Sequence, residues 1–515
     1  MGGGRLNVSS GGFATVAGGY QNAALEETAT IGGGFSNTAG HESSVVAGGS
    51  QNIADADYAT VGGGSANMST GSGATVSGGS GNTSTGDSAT VSGGHRNASG
   101  GTAATVGGGE RNESTGSYTV IAGGLENRAS RGLAAVVGGI GHLAGAEQAF
   151  IGGGVGNRIE SDADNSVIGG GESNVIGGFS ASTIIAGGSY NHIAGNSSLG
   201  TISGGAQNRI FTGSHTATIS GGYGHRAAGS YATIGGGNNN TVSNHYATVA
   251  GGAINSATGR ASFVGGGGGE DEDGANFPNI AGGRWSSVVA GANNSVLADY
   301  ATIGGGQNNR IAENDTVVGV PPGDHSVIGG GRDNVVQGNG SVIGGGQFNF
   351  IEIGDDESAG DCVIGGGGSN RTKGDLLTIA GGGSNRAAVL GATVGGGGGN
   401  VASNYYAAVS GGRGNQGIGD YSVVPGGPEE RGQGRLLLRG GLPGPGVTPG
   451  RLCLVRCVRL RSLANLHVRF HHHERICRPS HRRGPLCHGH RCCWFEYCRS
   501  HARSRQRHLV FAQRL

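Results

Sequence analysis

The sequence predicts an all-β chain, a parallel β-solenoid or β-roll built from coils of about fifteen residues. Three observations predict it. A heptapeptide recurs as FATVAGG from Phe13, TATIGGG from Thr28, YATVGGG from Tyr58, YATIGGG from Tyr231, YATVAGG from Tyr246 and YATIGGG from Tyr300. Its last apolar residue, the anchor, falls at Val16, Ile31, Val46, Val61, Val76, Val91, Val106, Ile121, Val136 and Ile151, each fifteen residues from the one before. Six residues beyond the anchor stands asparagine: Asn22, Asn37, Asn52, Asn67, Asn82, Asn97, Asn112 and Asn127, then Asn157, Asn174, Asn191 and Asn208, and again out to Asn415. His142 and His225 are among the exceptions.

Fifteen residues with two glycines cannot make a pair of helices, since each interior glycine costs a helix roughly 1 kcal/mol. They can make two short strands and two turns. The triplet Ala-Thr-Val is β-rich and runs into Gly-Gly, which reads as a strand entering a tight turn. Stacked coils then advance by about 4.8 Å, the spacing of strands in a sheet. A recurring asparagine suits such a stack in two ways. Its amide can donate to the coil on one side and accept from the other, keeping a buried polar column satisfied. Alternatively it is a turn residue that tolerates left-handed backbone. Both readings make the column structural.

Within the triplet, alanine and the anchor share one face and the residue between them points the other way. That outward column holds Thr60, Thr75, Thr90 and Thr105, but also Val120, Phe150, Val167, Ile184, Phe263, Val327, Val342 and Val363. An apolar stripe of this length on a solvent face marks an interface, and a homotrimer is expected, although β-branched residues also simply suit strands.

Three segments follow along the chain: a lead-in over residues 1–12 expected to be the remnant of a truncated N-terminus, a repeat domain over 13–427, and a tail over 428–515. Between Ile151 and Ile219 the anchor spacing rises to seventeen. The extra residues enter between the asparagine and the next anchor, at 160–165 and 211–215, as does the longer insertion 350–362. One edge of the solenoid is therefore expected to be fixed and the other to carry variable loops, which in repeat proteins form the binding face. Stretches 265–287, with Trp285, and 317–325, with two prolines, break the rhythm and read as bulged-out loops.

The formal net charge of zero is a cancellation. Residues up to Gly427 carry 16 Lys+Arg against 30 Asp+Glu, whereas residues from Pro428 on carry 18 Arg against 4 Glu. Aromatics at 5% are too few for a thick globular core. No apolar run approaches the roughly 18 residues of a membrane-spanning helix, and no signal peptide is visible at the start.

The repeats resemble the YadA-like head of trimeric autotransporter adhesins, through YATVGGG at Tyr58, ATVSGG at Ala74 and Ala89, and the turn pieces STGS at Ser69 and STGD at Ser84. The resemblance covers about the first four-fifths of the chain. It implies a left-handed parallel β-roll that trimerises at a bacterial surface. The sequence departs from that family in an added glycine and in its asparagine column, and shows no recognisable neck, stalk or membrane-anchor strands. A phage or secreted tail-fibre module is the alternative. A β-helical carbohydrate-active enzyme is the less favoured one.

Chemistry-bearing motifs are sparse. Acidic runs at 270–273 and 355–357 are candidate Ca²⁺ ligands, but no aligned aspartate column exists and such runs read as solvated loop tips. The glycine-rich turns lack the Lys-Ser/Thr of a phosphate loop, and no Ser/His/Asp set aligns, so no enzyme, cofactor or metal is expected. A single threonine column falls short of the two-column array that ice binding would need. In the tail, His471, His472, His473, Cys477, Cys487, His488, His490, Cys492, Cys493, Cys498 and His501 resemble zinc ligands, and its arginines a nucleic-acid site. Their spacing fits no closed Cys/His module. The composition is instead that of a GC-rich gene read in the wrong frame, and the tail is expected to be disordered. Residues 434–441 can be encoded so that a one-nucleotide shift reads Gly-Asp-Tyr-Ser-Phe-Ala-Ala-Gly, with the aspartate one period after Asp420. The expected protein is a non-enzymatic, extracellular or surface-exposed fibre or adhesin. It would bind a host, matrix or glycan ligand through its loop edge, without nucleic acid and without a membrane span.

Overall fold

The computed structural model describes residues 3–312, 323–354 and 360–432. It is all-β: a parallel β-solenoid of about 27 coils, with no helix among the described residues. Each coil contributes one strand to each of two parallel sheets. The first sheet runs from Thr15–Val16 to Val423–Val424 and holds the anchors. The second runs from Val8–Ser9 to Arg431–Gly432 and holds the residues following each asparagine. Pairing joins each coil to the next, as in Thr60↔Thr75 with Val61↔Val76, and Met68↔Thr83 with Ser69↔Ser84. A third ladder of single bridges, such as Ser65↔Ser80, lies between the glycines and the asparagine.

Two left-handed corners per coil make this closure work. The residue three before the anchor and the residue just before the asparagine have positive φ, as at Tyr58 (62°) and Ala66 (55°). At both corners the backbone N–H turns back to the preceding coil, Tyr58 to Glu42 O and Ala66 to Ser50 O, each at 2.9 Å. In the strands the exposed N–H groups point forward instead, Thr60 to Ala74 O and Gly62 to Val76 O at 2.9 Å. The glycine three after the anchor is required for a different reason. A Cβ on Gly64, at φ 87°, would lie 2.1 Å from Gly79 O, closer than any side chain can be placed.

Four residues per coil fill the interior: the alanine before the strand, the anchor, the asparagine and the residue two beyond it. In one coil these are Ala59, Val61, Asn67 and Ser69, all fully buried. The last position tracks coil width. It is alanine or serine in most fifteen-residue coils but isoleucine at Ile159, Ile176, Ile193 and Ile210, where seventeen-residue coils begin their extra turn. It is isoleucine again at Ile311 and Ile351, which precede the longest insertions of that edge. A wider turn leaves more interior to fill, and each added methylene buried there contributes about 0.8 kcal/mol.

The ladder passes the interruptions in register: Phe150↔Val167, Phe263↔Ser287, Ile303↔Ile328 and Ile343↔Ile364. Stretch 265–287 is only partly a loop. Residues 269–278 leave the coil, after which Asn279 resumes the asparagine place, accepted by Asn255 Oδ1 at 3.1 Å, and Trp285 takes a left-handed corner at φ 52°. This excursion lies between the third ladder and the asparagine, on the opposite edge from 160–165 and 211–215. The expectation that insertions keep to one edge therefore holds for the other extra turns and fails here. At the C-terminal end the coil continues to Gly432, with Pro428 bridged to Arg413 and the Glu430 N–H donating to Asn415 Oδ1 at 2.7 Å.

Candidate assembly and ligand surfaces

The asparagine column is a directional ladder. Asn67 Oδ1 accepts from the backbone N–H of Asn82 at 3.0 Å. Its Nδ2 donates to Gly63 O in its own coil at 2.8 Å and to Gly79 O in the following coil at 2.9 Å. The same pattern runs from Asn22 through Asn37, Asn52, Asn82, Asn97, Asn112 and Asn127. Each amide thus both accepts from and donates to the coil after it. At Asn37 and Asn112, among others, Nδ2 also donates back to the Oδ1 of the preceding rung, at 3.1 and 3.2 Å, so at those rungs the amide donates to one side and accepts from the other, as the sequence predicts. The left-handed residue is the one before the asparagine, not the asparagine itself.

His142 and His225 occupy two rungs. Each Nδ1 accepts a backbone N–H, from Asn157 at 3.0 Å and Asn240 at 3.1 Å, which puts the ring proton on Nε2. Each Nε2 lies beside a glycine carbonyl, Gly154 or Gly237, without full hydrogen-bond geometry. Burial lowers both imidazole pKa values from the ordinary 6.5.

The outward column of the first sheet lies on the surface. Thr60, Thr75, Thr90, Thr105 and Val342 are half-buried, and Val120, Phe150, Ile184, Phe263 and Val363 are 38–43% exposed. Register places Phe150, Val167 and Ile184 in successive coils, so the apolar stretch is continuous there.

The left-handed corner beside the loop edge carries rings the sequence reading did not single out as a set. Trp285, Tyr300 and His325 stack with centroids 5.0 Å apart, Tyr231 on Tyr246 at 4.9 Å and Tyr406 on Tyr421 at 5.4 Å. Their common spacing before the anchor was the available signal. Because the rings face one another along the stack, they offer solvent mainly their edges, so a sugar ring finds an open aromatic face only at the end of a stack. Beside them, Asp87, Asp164, Asp299 and Asp375 accept backbone N–H groups from the preceding coil at 2.6–3.3 Å. Asp324 does the same for Asp299 at 2.8 Å; burial raises its pKa, opposed by the Asp299 N–H it accepts and reinforced by the Asp299 carboxylate.

Within loop 269–278, Asp271 Oδ1 accepts from the N–H of Asp273 and of Ala275, so this acidic run is organised by its own backbone. Among the described residues no group of three or more His, Cys, Asp or Glu converges as metal ligands, and no helix is long and apolar enough to cross a membrane. Residues 355–357, most of 317–325, and all the Cys and His candidates of the tail lie outside the described residues. No protein-family model and no curated protein matches the chain.

Proposed function

We propose that this chain is a non-enzymatic fibre or adhesin module, extracellular or displayed on a cell surface. In this reading it assembles as a homotrimer through the outward column of the first sheet and binds a host, matrix or glycan ligand through its loop-bearing edge. One observation carries the reading: turns of different length are inserted at 160–165, 211–215 and within 350–362, after the strand Phe350–Glu352, while the ladder stays in register across them. A scaffold indifferent to what is inserted at one edge supports recognition by that edge.

The test has two arms. Sedimentation of the full chain should give one trimeric species, and the pair Val342→Asp with Val363→Asp should shift it to monomer, since an unpaired carboxylate buried in an interface costs several kcal/mol. A stable monomer for the unaltered chain would sink the trimer. Trimming 160–165 and 212–215 to the regular coil length, with Ile159 and Ile210 changed to alanine, should leave the far-UV β signal intact and remove adhesion to cells or matrix. Unchanged adhesion would place the ligand elsewhere.

A further inference from the structure

The outward column of the second sheet points to a binding stripe for an acidic polysaccharide. This column consists of the residue after each ladder asparagine, and at several coils that residue is arginine. At three other arginines of the column a carboxylate accompanies the cation. Arg128 stands opposite Glu113 in register with its guanidinium 3.7 Å from the carboxylate. Arg158 lies 2.6 Å from Glu160. The register-adjacent pair Arg371 and Arg386 has Glu352 bound to Arg371. One run is different. His192, Arg209 and Arg226 are register neighbours in three successive coils. Both arginines are exposed, and neither makes an ion pair among the described residues.

Like charges directly opposite one another across a parallel ladder destabilise it. Here they sit in a domain whose other charges are mostly acidic, and a carboxylate at either position would have been paired at once. We propose that Arg209 and Arg226, with His192 beside them, bind a linear glycan carrying carboxylate or sulfate groups, laid along the solenoid axis. This deepens the adhesive reading above and rests on it for its biological setting.

Three features favour that occupant. The cations repeat at the rise of one coil, about 4.8 Å, comparable to one extended sugar unit. Phe211, under the Arg209 guanidinium at 4.7 Å, gives the stripe an apolar border beside its charge, as suits a polymer whose rings have both kinds of surface. The stripe also belongs to the second sheet, so it stays open when the first sheet's outward column is covered by assembly. A nucleic acid fits less well. A duplex carries one charge per about 1.7 Å of axis, so two arginines would leave most of its phosphates uncompensated, facing an acidic domain. Burial first, and then Arg209, lower the pKa of His192 from the ordinary 6.5 against the opposing pull of Glu160, so near neutral pH it offers a hydrogen-bonding edge more than a third cation.

The experiment measures binding of the full-length chain to fluorescent polygalacturonate, dextran sulfate, neutral dextran and a thymidine homopolymer. The arginine-rich tail is present in every variant, so the readout is the difference between variants. Arg209→Gln with Arg226→Gln should weaken binding to at least one acidic glycan about tenfold or more, equivalent to about 1.4 kcal/mol, with the loss shrinking as salt is raised. The responsive probe identifies carboxylate or sulfate as the preferred group. Arg310→Gln, an isolated arginine of the same column, should change binding less than twofold. Arg226→Glu gives Arg209 an opposite charge and should leave the solenoid at least as stable to urea while abolishing acidic-glycan binding, which separates recognition from folding.

Equal binding by wild type and the double variant overturns the proposal, as does equal binding of neutral dextran. A double-variant loss confined to the thymidine homopolymer overturns it in favour of nucleic acid. With the second trim confined to 212–215, the loop-trimmed chain keeps Phe211 and the stripe, so loss of adhesion there with intact glycan binding, or the reverse, shows which of the two proposals has failed.

Discussion

At the scale of single residues, the solenoid is held by groups that must point in one direction. Asn67 satisfies one backbone N–H and donates to two backbone carbonyls, so Asn67→Ala leaves buried polar groups short of partners. At about 1–3 kcal/mol per unsatisfied group, the loss should be about 3 kcal/mol, read as faster amide exchange in the two adjoining coils. Neighbouring glycines should respond oppositely. A Cβ on Gly79 would meet Gly94 O at 2.2 Å with φ at 90°, while one on Gly78 meets nothing within 4 Å. Gly79→Ala should therefore cost about 2–4 kcal/mol, and Gly78→Ala should stay within about 1 kcal/mol of neutral. The two histidine rungs add a pH dependence. Their folded pKa values lie below the ordinary 6.5, so as pH falls through 6.5 the unfolded chain takes up protons before the folded one. Stability must then decline with falling pH until the folded imidazoles themselves titrate. Urea denaturation at a series of pH values should show that decline, and the double replacement His142→Asn with His225→Asn should flatten it.

At the scale of the coil, the position two beyond the asparagine sets how wide the interior is. Ile176→Ala should cost about 2–5 kcal/mol, because the turn after it holds the coil open and the cavity cannot collapse. Ala129→Ile, in a fifteen-residue coil, should cost about 1–3 kcal/mol through overpacking. Heat or urea unfolding of the two variants checks both. By contrast, replacing residues 269–278 with a single residue should leave the far-UV β signal and the transition midpoint nearly unchanged, since the ladder crosses that loop intact from Ser256 to Ile280 and a shorter connection costs less closure entropy. Much of this scale was legible in the sequence. The anchors, the strand after Tyr58, the outward direction of Thr60 and the edge of the extra turns at 160–165 all followed from period and alternation. Less legible was what period alone does not encode. A fixed spacing cannot show which of two adjacent residues is left-handed, so Asn67 was weighed for a role that belongs to Ala66. Nor did it show that the loop after Gly268 leaves from the opposite edge, because an insertion's edge depends on where Asn279 rejoins. The isoleucine at Ile159 was readable, but only once coil width is linked to core volume.

At the scale of the whole molecule, each coil touches only its neighbours, so stability is approximately a sum of coil and interface terms. That makes an extended scaffold tolerant of local change and lets its faces take separate tasks: an apolar column on the first sheet, cations on the second, acidic and aromatic residues at the corner between strands. The same nearest-neighbour logic gives the asparagine ladder a consequence for the order of folding. Every rung reaches toward the coil that follows it, so a finished coil displays an unspent amide oxygen and amide nitrogen on its C-terminal side. A chain emerging from the ribosome presents its next coil to that side and to no other. Each completed turn is thus a template for the one still being made, and the molecule can crystallise onto itself in the order of its own synthesis, without waiting for distant segments to meet.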